Sequence, residues 1–305
     1  MNKPVVLVPG ASSQIGVFAL PLLVSRGFEV VALGRNGKPS WYPDINGVTW
    51  ETAGTLSASS SDSARFILSC GPLALAGDLV SRCSKLERVV AFSTTSIHSK
   101  RGSGDKAERE QAECIARDEK NIVELCAAVS AGLAILRPTL VYGCGMDMNI
   151  SWLARWIGRF GFVPLAGEAR GLRQPVHAQD VARTAVTALA FSGKGMLESP
   201  LCGGSTLSYQ DMVREIFRAL GRKPRLIHLP PNLLATMTAV ARLLPGLRSI
   251  NPEMVRRQAL DLVYDDLEAR SELGHAPRPF ELRSTDFRTP PHDLLLQVAA
   301  GDAEN

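Results

Sequence analysis

The strongest constraint on this chain lies in its first 35 residues. Val5-Val6-Leu7-Val8 is a short apolar run that leads into Gly10-Ala11-Ser12-Ser13-Gln14-Ile15-Gly16, and an apolar helical stretch from Val17 to Arg26 is then stopped by Gly27. Glu29-Val30-Val31-Ala32-Leu33 reads as a second strand, closed by Gly34-Arg35. Strand, glycine turn, helix and strand form the first half of a dinucleotide-binding unit. Gly10 permits the tight turn, and Gly16 lets helix and strand pack closely. Between them, Ser12, Ser13, Gln14 and Ile15 carry the N–H groups that a helix N-terminus aims at a pyrophosphate. Ser13 stands where the usual pattern has its middle glycine, which crowds the phosphate slightly. An ordinary βα turn with no ligand is the plain alternative, and the placement of the turn between strand and helix speaks against it.

The end of the second strand selects the cofactor. NAD binders put an acid there to accept from the ribose 2′-OH. Here the position is Gly34, followed by Arg35, with Lys38 close behind. A guanidinium suits a 2′-phosphate through charge-assisted contacts. NADP(H) is therefore expected in preference to NAD(H); a solvated surface arginine is the bland use of Arg35.

Apolar runs near 4–8, 29–33, 48–51, 65–70, 87–92 and 132–137 alternate with helical patterns at 15–26, 72–84 and 106–131. That alternation predicts an α/β fold with a doubly wound parallel sheet. Beyond Gly143, helical stretches at about 149–160, 178–191, 208–220, 231–244 and 252–270 predominate, punctuated by prolines. The expected division is a Rossmann domain over 1–165, with core elements continuing to about 195, and a smaller, mainly helical C-terminal lobe over 196–305.

Composition narrows the function classes. The 305 residues are 45% hydrophobic, enough for a real core, and 34 basic against 30 acidic residues are interspersed. Without a like-charge block or a basic–aromatic ladder, nucleic acid is not an expected partner. Six cysteines lie scattered with no C-x-x-C pair, which speaks against a metal site or disulfide framework and for reduced thiols in the cytoplasm. A strand follows Lys3-Pro4 directly, so no signal peptide is expected. Leu233 to Leu247 is the most apolar helical stretch, interrupted by Arg242 and Pro245 and too short for a bilayer. It reads as a packed or partner-facing helix. The tail Gly301–Asn305 is expected to fray. No G-x-S-x-G elbow occurs, so a hydrolase of that kind is not expected.

Four further segments carry a family resemblance. They are Arg88-Val89-Val90-Ala91-Phe92-Ser93-Thr94-Thr95-Ser96, Leu136-Arg137-Pro138-Thr139-Leu140-Val141-Tyr142-Gly143, Gln174-Pro175-Val176-His177-Ala178-Gln179-Asp180-Val181-Ala182 and Cys202-Gly203-Gly204-Ser205-Thr206-Leu207-Ser208-Tyr209. In this order, and over nearly the whole length, they resemble the extended short-chain dehydrogenase/reductase superfamily of the NAD-dependent epimerase/dehydratase type. The resemblance implies that Thr94 is the catalytic hydroxyl, hydrogen-bonding a substrate oxygen beside the nicotinamide. It implies that Lys120, with Glu124 after it, is the lysine that bonds the nicotinamide ribose. Gly71, after the fourth strand, fits a close backbone approach to the cofactor, and Arg173 and His177 fall on the substrate side.

Two departures stand out. Family members carry a tyrosine four residues before the lysine, one helical turn away on the same face. Ala116 occupies that position here, and none of the chain's four tyrosines precedes a lysine at that spacing. General acid–base help worth roughly 10²–10⁴ in rate would then come from elsewhere, and His98, four positions after Thr94, is the substitute the sequence offers. The second departure is Ala53-Gly54-Thr55-Leu56, which lacks the usual carboxylate near the adenine. In both respects the chain is similar to atypical members without the tyrosine, such as the NADPH-binding accessory-subunit type of respiratory complex I. Two functions follow as expectations. One is an NADP(H)-dependent oxidoreductase, epimerase or dehydratase acting on a nucleotide sugar or other carbonyl or alcohol compound. The other is a non-catalytic NADPH-binding module facing a protein partner through Leu233–Leu244. A monomer or homodimer suits either.

Overall fold

Successive residues of the apolar runs point to opposite faces of a sheet, so a run that is apolar throughout demands cover on both sides. The computed structural model, which describes residues 3–191, 195–241 and 252–301, meets that demand. Seven parallel strands form the centre: β1 (Val5–Pro9), β2 (Glu29–Gly34), β3 (Val48–Thr52), β4 (Ala64–Ser69), β5 (Arg88–Phe92), β6 (Gly132–Pro138) and, after four short strands outside the sheet, β11 (Met196–Leu201). Their order is β11-β6-β5-β4-β1-β2-β3. Val6, Val8, Val30, Ala32, Val90 and Ala134 pack into one apolar cluster, and their neighbours Leu7, Val31, Leu33, Val89 and Leu133 pack into a second on the opposite face.

The first cluster is covered by α1 (Gly16–Ser25), α7 (Ala178–Ala190) and the last described helix, α12 (His292–Ala300); the second by α3 (Leu73–Val80) and α5 (Lys106–Ala128). Residues of α1 are buried on every side because sheet, α7 and α12 enclose it. Between these lie α2 (Ala58–Ser63) and α4 (Ser96–Arg101). The predicted doubly wound sheet is present, and all six expected strands form within about a residue of their predicted ends.

A third cluster, with Tyr142, Ile157, Leu165, Phe217 and Phe280 at its centre, is the core of a smaller lobe. It is built by β7 (Leu140–Tyr142), α6 (Ile150–Phe160), β8 (Val163–Ala166), β9 (Leu172–Arg173), β10 (Pro175–His177), β12 (Leu207–Ser208), α8 (Tyr209–Ala219) and β13 (Leu226–Leu229). Three small pairings, β10 with β7, β12 with β9 and β13 with β8, hold it together. Over 196–305 the described residues carry more helix than strand, as expected, while the short strands between 140 and 177 were not expected because strands of two to four residues leave no readable period.

The chain also crosses between the two bodies more often than a cut near 165 or 195 implies. β11 lies beyond that cut and pairs in register with β6. α11 (Leu267–Leu273) and α12 return to the sheet, bringing Ala269, Leu273, Leu295 and Val298 into its first cluster. The helix expected over 252–270 is two helices, α10 (Pro252–Arg257) and α11, with a non-helical stretch between. Its carbonyls are claimed from outside: Arg173 donates to the carbonyls of Arg257 and Leu260, at 2.5 and 2.7 Å, and Leu262 N–H pairs with Leu172. The helix over 231–244 is described as α9 (Pro231–Ala241); Arg242, Pro245 and Leu247 lie outside the described residues, as do Asp302–Asn305 of the tail.

Candidate functional site

In a parallel sheet the order reverses between β1 and β4, and ligands bind beyond the carboxyl ends of the strands at that switch point. Two loops of interest leave this edge: Gly10–Gly16 after β1, and Ser93–Ser96 after β5. At Gly10 (φ +73°) a Cβ would lie 2.4 Å from the Gly71 nitrogen, so the turns after β1 and β4 touch backbone to backbone. Gly10 and Ala11 N–H groups hold Leu33, the end of β2. Ser13 Oγ accepts the Gly16 N–H at 3.2 Å in the turn that leads into α1. The N–H groups of Ser12, Gln14 and Ile15 have no hydrogen-bond partner among the described residues, and Gln14 Oε1 is buried and likewise unpartnered. Three open donors at a helix start fit a pyrophosphate.

Arg35 is exposed and begins a tight turn, since a Cβ on Gly34 would meet the Gly37 carbonyl at 2.5 Å. Its guanidinium has no acidic partner among the described residues. Lys38 differs: its ammonium pairs with Asp44 at 2.5 Å.

Beside the Ser93–Ser96 turn, a cavity of about 510 Å³ lies between the sheet edge and the lobe. Thr94, Thr95, Ser96 and Ser99 form its wall on the β5 side. Asn149, just before α6, and Trp152 and Leu153 within it face the cavity, as do Tyr209 and Met212 of α8. Asp147 fixes the start of α6 by accepting from the Asn149 and Ser151 N–H groups at 3.0 and 2.9 Å. The far wall is Met254, Arg257 and Leu262, and Tyr264 reaches from that segment to the β5 side. More of the exposed surface in this lining is apolar than polar, and four of its hydroxyls, those of Thr94, Thr95, Ser96 and Ser99, gather at the β5 end, a distribution that binds an organic body and orients one polar end.

Charge in the cavity is concentrated on one side. Arg257 makes a two-pronged pair with Glu108 at 2.7 Å for each prong, and Ser103 adds a hydrogen bond to the same carboxylate. The guanidinium holds the Glu108 carboxyl below the usual carboxylate range. Lys100 donates to Gln111 at 2.9 Å; burial, with Arg257 nearby, depresses its ammonium although Glu108 works the other way.

The expected site residues separate on these coordinates. Thr94 lines the cavity, its Oγ1 donating to Ser96 Oγ at 2.9 Å and accepting from the Ser96 N–H. Arg173 lines it too, but its guanidinium is spent on the carbonyls of Leu172, Leu260 and Arg257, so it straps the wall instead of offering itself to an anion. His177 is drawn away from the substrate side. It is buried, caps α7 by accepting the Gln179 N–H on Nδ1 at 3.1 Å, and packs between Phe18 and Tyr142. Lys120 is not brought to the cavity either: its side chain is 80% exposed and reaches Glu124 at 3.8 Å. The inward position beside it is Glu119, which accepts from Ser93 and pairs with Arg137 at 2.9 Å. His98 is exposed, with its ring 6.2 Å from that of Tyr264. Lys100, Arg257 and Tyr264 went unread in the sequence. Tyr264 offered one signal, as one of only four tyrosines. Among the described residues no group of three or more His, Cys, Asp or Glu side chains could hold a metal, and no helix is long and apolar enough to cross a membrane.

The architecture is a Rossmann-like α/β fold, one shared with NAD-bound nucleotide-sugar epimerase structures. The chain is similar to MoeE5 in complex with UDP-glucuronic acid and NAD, at 21% identity and a TM-score of 0.66, over 90% of this chain and 94% of that one. It is similar to the UDP-glucuronic acid 4-epimerase from Bacillus cereus in complex with UDP-glucuronic acid and NAD, at 16% identity and a TM-score of 0.67, over 96% and 99%. A third solved structure, gox2253, shares 17% identity at a TM-score of 0.64 over 99% of both chains. No family model matches. Among curated sequences the chain resembles an uncharacterised protein, y4nG, of Sinorhizobium fredii (strain NBRC 101917 / NGR234), 26% identical over 148 residues. That match spans 48% of this chain and 36% of y4nG.

Proposed function

We propose that this chain binds NADP(H) across the Gly10–Gly16 turn and acts on a carbonyl or alcohol compound, a nucleotide sugar being the leading class, as an oxidoreductase, epimerase or dehydratase. One observation carries the reading: a hydroxyl-rimmed cavity and a helix start with three open N–H donors leave the same edge of one parallel sheet. Ser12, Gln14 and Ile15 would hold the pyrophosphate, and Gly71 would let backbone approach the ribose. Arg35, exposed and free of an acidic partner among the described residues, would take the 2′-phosphate, with Lys38 a lesser contributor because Asp44 already neutralises it. The bound cofactor supplies or accepts hydride. Thr94 then orients the substrate oxygen, while Trp152, Leu153 and Met212 keep water from the reacting carbon. Neighbours bound to NAD and UDP-sugars support both the cofactor class and the substrate class.

A second reading is favoured by one specific feature. Ala116 replaces the phenol and Lys120 points to solvent, so the usual proton-transfer pair is gone and a non-catalytic NADPH-binding module remains in contention. Leu233, Met237 and Val240, exposed on one face of α9, would then be the partner-facing surface. Calorimetry with both coenzymes, followed by a carbonyl-substrate panel, separates the two readings. NADPH is expected to bind more tightly than NADH, and Arg35→Asp to abolish the difference. Turnover that collapses in Thr94→Ala supports the enzyme; tight binding with no turnover supports the module. Equal affinity for the two coenzymes removes the role given to Arg35.

A further inference from the structure

We propose that Tyr264 is the proton-transfer residue of the cavity, supplying from the lobe side the phenol that α5 lacks at Ala116. The inference rests on the enzymatic reading above. Its first support is position: Tyr264 Oη donates to the Thr95 carbonyl at 3.1 Å, placing the phenol on the turn that carries Thr94 and Ser96. Rotation about its C–O bond is enough to turn the proton from that carbonyl to a substrate oxygen in the cavity.

A second support is fixation. The Tyr264 N–H donates to Gln174 Oε1 at 2.8 Å, and Cys202 Sγ contacts its carbonyl at 3.4 Å. Cys202 follows β11 of the sheet and Gln174 lies between the lobe strands β9 and β10, so the backbone at Tyr264 is fixed from both bodies, and a catalytic group held this way keeps its geometry.

Elimination supplies the third. Glu108 is ionised by its pairing with Arg257 and has no proton to give. Arginines do not exchange protons near neutrality, which sets aside Arg173 and Arg257. Tyr209 lies against the Arg173 guanidinium, 5.5 Å from its ring, and Lys100 is bonded to Gln111. Only Tyr264 among them is hydrogen-bonded to the hydroxyl turn. Burial raises its phenol above the ordinary value, with the Thr95 side-chain hydroxyl and Arg173 opposing and Cys202 acting in the same sense as burial; the His98 ring also faces it. The phenol is therefore protonated at neutral pH, the form a donor needs.

In the reducing direction the carbonyl carbon accepts hydride from reduced nicotinamide, and the C=O π pair moves onto oxygen. That oxygen takes the Tyr264 proton, giving an alcohol and a tyrosinate, and water at the cavity mouth reprotonates the tyrosinate. Oxidation of an alcohol is the reverse.

The test uses the full chain as wild type, Tyr264→Phe and Lys100→Met. Phenolate absorbance is titrated with oxidised and with reduced NADP bound. One tyrosine of the wild type is expected to ionise at lower pH with the oxidised form, whose ring is positively charged, and this component is expected to vanish in Tyr264→Phe. In turnover, Tyr264→Phe is expected to lower kcat by about 10²–10⁴ and remove the alkaline limb of the pH profile, with KM and coenzyme affinity unchanged. Tyrosine titration indifferent to coenzyme oxidation state overturns the proposal, as does an unchanged kcat in Tyr264→Phe or a loss that appears in Lys100→Met instead. If neither coenzyme binds the wild type, the parent reading fails first and takes this one with it; coenzyme binding with no role for Tyr264 sinks this one alone.

Discussion

Gly143 sits at φ +116°, and a Cβ there would lie 2.2 Å from His177 Nε2. The ring cannot yield, because its Nδ1 is committed to the α7 cap and Phe18 and Tyr142 flank it. Gly143→Ala is therefore expected to cost more than about 1 kcal/mol, read as a lower denaturant midpoint with unchanged slope. The same residue shows what a sequence leaves unsaid. His177 looks like a free imidazole beside the substrate until the fold closes glycine, aromatic rings and helix start around it. The turn through Gly10 and Gly16 and the strand end before Arg35 were readable because both are local features, set within 30 residues. Tyr264 was not, because its place beside Thr95 depends on contacts across 169 positions.

At the level of elements, helical phase decides which residues of α5 face inward. Ala112, Ile122 and Cys126 are buried, and at about 100° per residue that face includes 119 and turns 120 toward solvent. Spacing alone matched Lys120 and Glu124 to a motif; the apolar face of the helix overrules the match. α11 and α7 are joined by a different device. His275 Nε2 lies 2.8 Å from the Cys202 carbonyl, which can only accept, so Nε2 carries a proton, and Nδ1 lies 2.7 Å from the Thr184 hydroxyl. Burial holds this imidazole below its ordinary value of 6.5. The unfolded chain then binds the proton first, so the contribution is whole above about pH 6.5 and declines as pH falls below it. Wild type is expected to lose denaturation midpoint between about pH 6.5 and 5 more steeply than His275→Gln.

For the molecule as a whole, the doubly wound sheet was legible because short runs that are apolar throughout alternate with helical stretches along the chain. The interleaving of its two bodies was not, since nothing local marks α12 as a partner of α1. Glu108 and Arg257 join these bodies directly, α5 of the sheet layer to α10 beyond the cavity. Glu108→Gln removes a charge-assisted double bond and is expected to cost about 1.5–3 kcal/mol, with the cavity side opening faster in hydrogen exchange at residues 252–262 than at β5.

The Arg173 clasp has a consequence for how this chain can diversify. A guanidinium that grips main-chain oxygens of Leu172, Arg257 and Leu260 is blind to the side chains those residues carry. The course of the far wall is thereby uncoupled from its chemistry, and Met254 or Leu262 can be exchanged for other shapes while the strap keeps the backbone in place. Variants of this scaffold have a route to a reshaped cavity that leaves its Thr94–Ser96 end untouched.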